Sequence, residues 1–256
     1  MIRELIREKY GDLESALLQQ WFDWLSTWNY NAGAAPRQLN LSNKVRSTMV
    51  ITKPNLDKLK ARVRSANPEQ AHVSTFVVTC ALIWVTLIKS EGVGDSSDDP
   101  DRVYHLGFSA DCRRRLGIEL PESFLGNCLG PTFVGEKRGD LAAGGGGFFR
   151  AAEAIGRRVR EGEWVGAAER WMPTWREVAE GGRVVVIAGS PKLKAYETDF
   201  GWGRPRKSAV VQLDSSRSVA LCESGDGSGG VEVGLALEEN RMEVFAKLFE
   251  EFVGQV

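Results

Sequence analysis

Neither sign of charge dominates this sequence. Thirty-three Lys and Arg stand against 34 Asp and Glu, a formal net charge of −1. No electrostatic footprint for nucleic acid or an anionic membrane follows from that balance. Cysteine is scarce: Cys80, Cys112, Cys128 and Cys222 are far apart and form no Cys-x-x-Cys pair. Free buried thiols in a reducing compartment fit that pattern, and no metal site is read from it. No apolar run reaches the ~20 residues that a bilayer span needs. The longest, from Phe76 to Ile88, is interrupted by Thr79 and Thr86 and reads as a buried helix. The N-terminus alternates charge with aliphatics (Ile2, Arg3, Glu4, Leu5), which is not a secretory signal. A cytoplasmic protein is the expectation. Histidine is rarest of all, with only His72 and His105.

What is present is ordinary for a soluble globular chain: 43% hydrophobic and 26% charged residues over 256 positions. Residues 1–45 read as a tether. One short amphipathic helix carries Trp21, Trp24 and Trp28, rings that need a surface this chain does not wholly supply. An Asn-, Ala- and Gly-rich connector around Pro36 follows.

From Arg46 the pattern alternates strand and helix. A strand is predicted over Ser47–Thr52, then a helix opened by Pro54 with Leu56, Leu59 and Val63 on one face, stopped at Asn67-Pro68. Ser74 or Thr75 is the expected N-cap of the buried helix that ends at Lys89. Val103–Asp111 alternates as a strand, with Tyr104, Leu106 and Phe108 on one face and His105, Gly107 and Ser109 on the other. Gly144–Gly147 precedes no Gly-Lys-Ser/Thr, so it reads as a flexible loop before a helix over Phe149–Arg160. Further strands are expected at Val184–Ile187, Ala209–Leu213, Val219–Cys222 and Val231–Leu235. A last helix follows with Met242, Phe245, Leu248, Phe249 and Phe252. This is an α/β chain with a mixed sheet flanked by helices.

The densest local signal is Asp199-Phe200-Gly201-Trp202-Gly203. It reads as a backbone bending sharply where two rings are buried beside one charge. Asp-Phe-Gly alone fits a protein kinase, but neither histidine begins a His-Arg-Asp loop, so that reading fails.

The full string resembles the C-terminal hallmark of the plant BAHD acyltransferases, which move an acyl group from a coenzyme A thioester to a hydroxyl or amine. Its flanks agree: Ala188 to Pro191 and Tyr196 before it, Arg204-Pro205-Arg206-Lys207 after it. So do Val73 to Phe76 with Trp84, Asp111-Cys112-Arg113, and Pro121 to Cys128. The last is similar to the Tyr-Phe-Gly-Asn-Cys motif of enzymes acylating anthocyanins and phenolic glucosides, with Phe124 and Leu125 standing for its Tyr and Phe. Residues 46–256 thus resemble a C-terminal domain, one half of the two-domain, chloramphenicol acetyltransferase-like fold.

The resemblance implies several roles. Acyl-CoA (malonyl-CoA or hydroxycinnamoyl-CoA) is the co-substrate, with no bound cofactor or metal. This region borders the coenzyme A site, and Ser74, Thr75, Lys60, Arg62 and Arg64 are candidates for its phosphates; the alternative is an N-cap and a charged helix face. Asp199 to Gly203 are structural, with Asp199 paired to an arginine, for which Arg113 is the candidate; as a solvated turn residue Arg113 would do nothing. A buried pair of that kind costs about 3–5 kcal/mol to break. Asn127 and Cys128 line the tunnel, Cys128 as packing. The family's His-x-x-x-Asp base has no counterpart, because Phe76 and Ser109 stand four residues after His72 and His105. The expectation is a chain without catalytic residues that shows no turnover alone and requires an N-terminal half. The rival is a non-catalytic module that binds coenzyme A or pairs with a complementary half or a homologue.

Overall fold

In the computed structural model, residues 43–68, 73–91, 99–113, 129–162, 170–181, 183–210 and 218–255 are described. The chain divides into two compact units. The larger comprises residues 40–107, 133–160 and 184–256, and the smaller residues 1–39, 108–132 and 161–183.

The elements run β1 (Lys44–Ile51), α1 (Lys53–Ala66), α2 (Thr75–Lys89), β2 (Val103–Asp111), β3 (Leu129–Lys137), α3 (Arg138–Ala142), α4 (Gly146–Glu161), α5 (Trp171–Glu180), β4 (Val184–Gly189), β5 (Ser218–Glu223), β6 (Val231–Glu238) and α6 (Glu239–Gly254). Six strands form one sheet in the order β1-β6-β5-β4-β2-β3. β1 and β5 flank β6 antiparallel, with Ile51 opposite Val231 and Glu223 opposite Val231 on its other side. β4 lies parallel to β5, so the sheet is mixed, as the alternating pattern implied.

Helix α1 starts where its sequence dictates. The Thr52 hydroxyl accepts from the Asn55 N–H, Pro54 occupies the first turn, and Leu56, Leu59 and Val63 are buried in a row. Every residue of α2 from Val77 to Ile88 is buried, which accounts for a helix apolar nearly all round. Trp84, Phe148 and Phe245 are the largest side chains sealed in the core of the larger unit. In α6, Phe245 and Phe249 stack at 6.0 Å between centroids, and Phe252 meets Phe148 of α4 at 5.0 Å.

Two threonines inside α2 differ. The Thr86 hydroxyl donates to the Leu82 carbonyl at 2.7 Å, whereas the buried Thr79 hydroxyl has no partner among the described residues. A buried hydroxyl without a partner costs about 1–3 kcal/mol, and valine keeps its shape. Thr79→Val is therefore expected to raise the melting temperature by roughly 2–4 °C, while Thr86→Val lowers it. Calorimetry on both checks the pair, and a Thr79→Val protein that melts below the parent contradicts it.

One expectation needs correcting. Gly146 and Gly147 do not belong to a loop; they form the first turn of α4. The Gly147 N–H donates to Ala143 at 3.0 Å, and a Cβ built on Gly147 would lie 2.0 Å from the Leu141 carbonyl oxygen. Glycine is required there by the close approach of α3. Of the strand expected over Ala209–Leu213, Ala209 and Val210 are irregular and the rest lies outside the described residues.

Candidate functional site

After β4 the chain makes two 3-10 turns, Pro191–Leu193 and Ala195–Glu197, joined by Lys194 at φ 53°. Tyr196 is the buried ring of this region. Its N–H donates to Glu223 Oε1 at 2.7 Å, and its hydroxyl donates to Glu232 Oε2 at 2.8 Å. The same hydroxyl accepts from the Ser208 N–H at 3.0 Å, so both ends of the segment 197–207 are tied to one phenol. Glu232 in turn accepts from the Gly225 N–H at 2.9 Å. The β5–β6 hairpin therefore anchors the hallmark through two acids that the sequence did not single out.

Within the segment, Asp199 Oδ1 accepts from Gly201 N at 2.7 Å and from Gly203 N at 3.0 Å. Gly201 (φ 94°) and Gly203 (φ 92°) take left-handed conformations that side chains rarely adopt. The sharp bend is as expected; the buried rings are not. Phe200 is 79% and Trp202 93% exposed. The physical reason lies in the closure: the loop folds onto its own carboxylate, and Tyr196, rather than either hallmark ring, fills the space at the hairpin. In the smaller unit, Arg113 donates to Asp111 Oδ2 at 3.0 Å, with both side chains about half exposed. Asp199 is exposed as well, so the cost of stranding a buried charge does not apply to it.

The environment of Tyr196 shifts its neighbours. Burial and then the Glu232 carboxylate raise the Tyr196 phenol above its ordinary value, against the Ser208 N–H, which lowers it. Burial and the adjacent Glu223 carboxylate push the Cys222 thiol up to about 11. For Glu223 burial acts upward, but the Tyr196 N–H and further hydrogen bonds outweigh it and hold the carboxyl below its ordinary 4.5. A carboxyl lowered on folding adds stability above its unfolded value, and that stability is lost as pH falls through the folded value. Glu223→Gln should flatten the loss of stability below about pH 4.5, read as denaturation midpoints from pH 6 to 3. An acid limb as steep as the parent's would show that Glu223 has no such role.

The second cluster lies where α1 hands over to α2. Ser74 caps α2, its hydroxyl accepting from the Val77 N–H at 3.3 Å, and Thr75 opens the helix. Arg64, in the last turn of α1, donates to the Val73 carbonyl at 3.5 Å, beside that N-terminus. A 15-residue helix presents a partial positive charge and unsatisfied N–H groups at this end. Lys60 and Arg62 point to other work. Lys60 pairs with Asp57 at 2.9 Å, a carboxylate that Lys53 also contacts. The Arg62 guanidinium lies over the rings of Phe149 and Phe252 at 5.9 and 5.6 Å. Ser74, Thr75 and Arg64 are thus brought together, while Lys60 and Arg62 are engaged elsewhere.

His105 is half-buried in β2 and faces Gly135 of β3, whose Cβ position would lie 3.1 Å from the imidazole. It sits as a sheet residue. His72, Asn127 and Cys128 fall outside the described residues. A cavity of about 160 Å³ near Leu87, Val185, Leu235 and Arg241 is smaller than the roughly 300–1,000 Å³ of ordinary ligand pockets. Among the described residues, no group of His, Cys, Asp or Glu could hold a metal ion, and no helix is long and apolar enough to cross a membrane.

This architecture is shared with solved structures. Vinorine synthase superposes with a TM-score of 0.58 at 18% identity, over 79% of this chain and 46% of that one. F. sporotrichioides TRI101, complexed with coenzyme A and T-2, gives 0.62 at 14% identity, over 83% and 50%. Among curated proteins, Arabidopsis thaliana coumaroyl-CoA:anthocyanidin 3-O-glucoside-6''-O-coumaroyltransferase 2 is 37% identical over 87% of this chain and 49% of its own length. The Arabidopsis thaliana malonyl-CoA:anthocyanidin 5-O-glucoside-6''-O-malonyltransferase is 34% identical over 96% and 55%. The chain spans about half the length of the curated relatives it matches. A family model described as the Transferase family matches residues 27–252, and the chain belongs to that family, the BAHD acyltransferases.

Proposed function

We propose that this chain forms the coenzyme A-side half of an acyl-CoA-dependent O-acyltransferase. The transferred group is malonyl or hydroxycinnamoyl and the acceptor a phenolic or flavonoid glucoside. The observation that carries this reading is the likeness, at 34–37% identity, to relatives named for coumaroyl and malonyl transfer to anthocyanidin glucosides.

The reaction needs an acceptor oxygen to attack the thioester carbonyl, forming a C–O bond. The tetrahedral intermediate collapses by breaking the C–S bond, and the acceptor proton ends on the coenzyme A thiol. A base near neutral pKa must carry that proton. This sequence has no His-x-x-x-Asp to supply one. Its own contribution is positional. The Ser74-capped end of α2, with Thr75 and Arg64 beside it, receives phosphate. We place the protein in the cytoplasm, where acyl-CoA is available.

Titration of coenzyme A into the purified chain tests the first part: binding is expected, weakened about tenfold by Arg64→Ala. Incubation with p-coumaroyl-CoA or malonyl-CoA and an anthocyanidin glucoside tests the second: no product above background is expected. Sustained turnover by the chain alone would overturn the missing-base reading. A second reading, a non-catalytic module that pairs with a complementary half, is favoured by one feature, the solvent exposure of Phe200 and Trp202.

A further inference from the structure

We infer that Phe200 and Trp202 form a preformed plug that seats in an apolar, acid-rimmed socket on the complementary half of a transferase of this family. The inference rests on the reading of this chain as one half of such an enzyme, and it names the surface through which the halves meet.

The rings are presented by a built loop. Asp199 closes it on the Gly201 and Gly203 N–H groups, and Tyr196 ties both of its ends to β5 and β6 through Glu223 and Glu232. A loop already held in shape loses little conformational entropy on docking, and an indole buried at the centre of an interface is among the strongest single contributors to affinity. Other large aromatics of the larger unit are sealed in its core, including Trp84, Phe148, Phe245 and Phe249. The hallmark rings are exposed against that background.

Charge selects the occupant. Arg204, Arg206 and Lys207 follow the rings and are all exposed. Lys192 and Leu193 precede them, Leu193 being 72% exposed. Over residues 192–207 five exposed cations stand against two exposed acids, Glu197 and Asp199, with Glu197 paired to Lys194 at 2.9 Å, and the excess of positive charge fits a socket rimmed by carboxylates. A second copy placed ring to ring across this loop would set the same cations against each other. The curated relatives carry about as many residues again outside the matched stretch, and the socket is assigned to them.

The test is co-expression of the full chain with a tagged fragment of the Arabidopsis coumaroyltransferase comprising the half that this chain does not match. The relative's own two halves, co-expressed in the same way, serve as reference. A 1:1 complex by affinity capture and light scattering is expected. Phe200→Ala with Trp202→Ala should weaken it at least 100-fold without changing the melting temperature of the chain alone. Trp202→Phe should retain most of the affinity, and Arg204→Glu with Arg206→Glu should weaken it about tenfold. Trp202 fluorescence, taken as the difference from Trp202→Phe, should be freely quenched by acrylamide in the chain alone and protected in the complex.

The proposal is overturned if the reference halves pair and this chain does not, or if the double alanine variant binds as the parent does. Quenching already blocked in the chain alone overturns it too, as does binding to vesicles of anionic phospholipid in place of the protein half. Coenzyme A titration on the same preparations separates the two readings. A complex without coenzyme A binding keeps the plug and removes the coenzyme A-binding role of this half, and coenzyme A binding without a complex does the opposite.

Discussion

Replacing Gly147 by alanine is expected to destabilise the protein by at least about 3 kcal/mol, the upper end of ordinary overpacking. Two effects compete at this position. Alanine inside a helix gains up to about 1 kcal/mol over glycine. Against that, the new Cβ would stand 2.0 Å from the Leu141 carbonyl oxygen and 2.7 Å from its carbon, both backbone atoms. No side chain can swing aside to make room. Either α3 and α4 separate, or the hydrogen bond from Gly147 N–H to Ala143 is given up, and Phe148 and Ala151 leave the core with it. Gly146 is the internal control, because among the described residues nothing lies within 4 Å of its Cβ position in the same turn. Gly146→Ala should be neutral or stabilising by up to about 1 kcal/mol. Urea midpoints of the two variants decide the matter: equal midpoints would mean that α3 and α4 accommodate the methyl group at no cost.

That pair also marks where sequence reasoning ran out. Local rules placed α1 and α2 well, because Pro54 and Ser74-Thr75 are start signals and Leu56, Leu59 and Val63 repeat at helical spacing. The alternation of Tyr104, Leu106 and Phe108 likewise gave the buried face of β2. The start of α4 was misread because a glycine run carries no trace of the carbonyl that will approach it from another element. The hallmark was found as a bend but misjudged as buried. Hydrophobicity says that a ring prefers to leave water, not that this part of the chain supplies the surface. Tyr196 reads only as a flank of the hallmark, because its partners Glu223 and Glu232 lie 27 and 36 residues away, beyond any local pattern. Lys60 and Arg62 are phosphate candidates through the family resemblance of this region. Their engagement with Asp57 and with the Phe149 and Phe252 rings is decided by packing. Helix α5 in the smaller unit was not anticipated at all.

Arg241→Ala should cost about 3 kcal/mol, the lower end of what removing one partner of a buried ion pair costs. Arg241 sits in the first turn of α6, yet it completes the far end of α2, about 150 residues earlier in the chain. Its Nη2 donates to the Leu87 carbonyl at 3.1 Å and to Glu91 Oε1 at 3.0 Å, while Nε donates to Ser90 Oγ at 3.2 Å. The two charged side chains are only 23% and 16% exposed. Removing the guanidinium leaves Glu91 mostly desolvated without that cation, and it withdraws positive charge from the negative end of the α2 dipole. Lysine restores the charge but not the fork, so Arg241→Lys should recover about half of the loss. The exposed Arg113–Asp111 pair provides the contrast: it has the same chemistry and a similar distance, and Arg113→Ala should cost no more than about 0.5 kcal/mol. Because Ser74 and Arg64 lie at the opposite end of α2, coenzyme A affinity in the folded fraction should not change with Arg241→Ala. An Arg241→Ala protein with the parent's urea midpoint would show that α6 and the end of α2 are held together by Phe245 and its apolar neighbours alone. A shifted midpoint with weakened coenzyme A binding would show instead that α2 transmits strain along its whole length to the Ser74 cap.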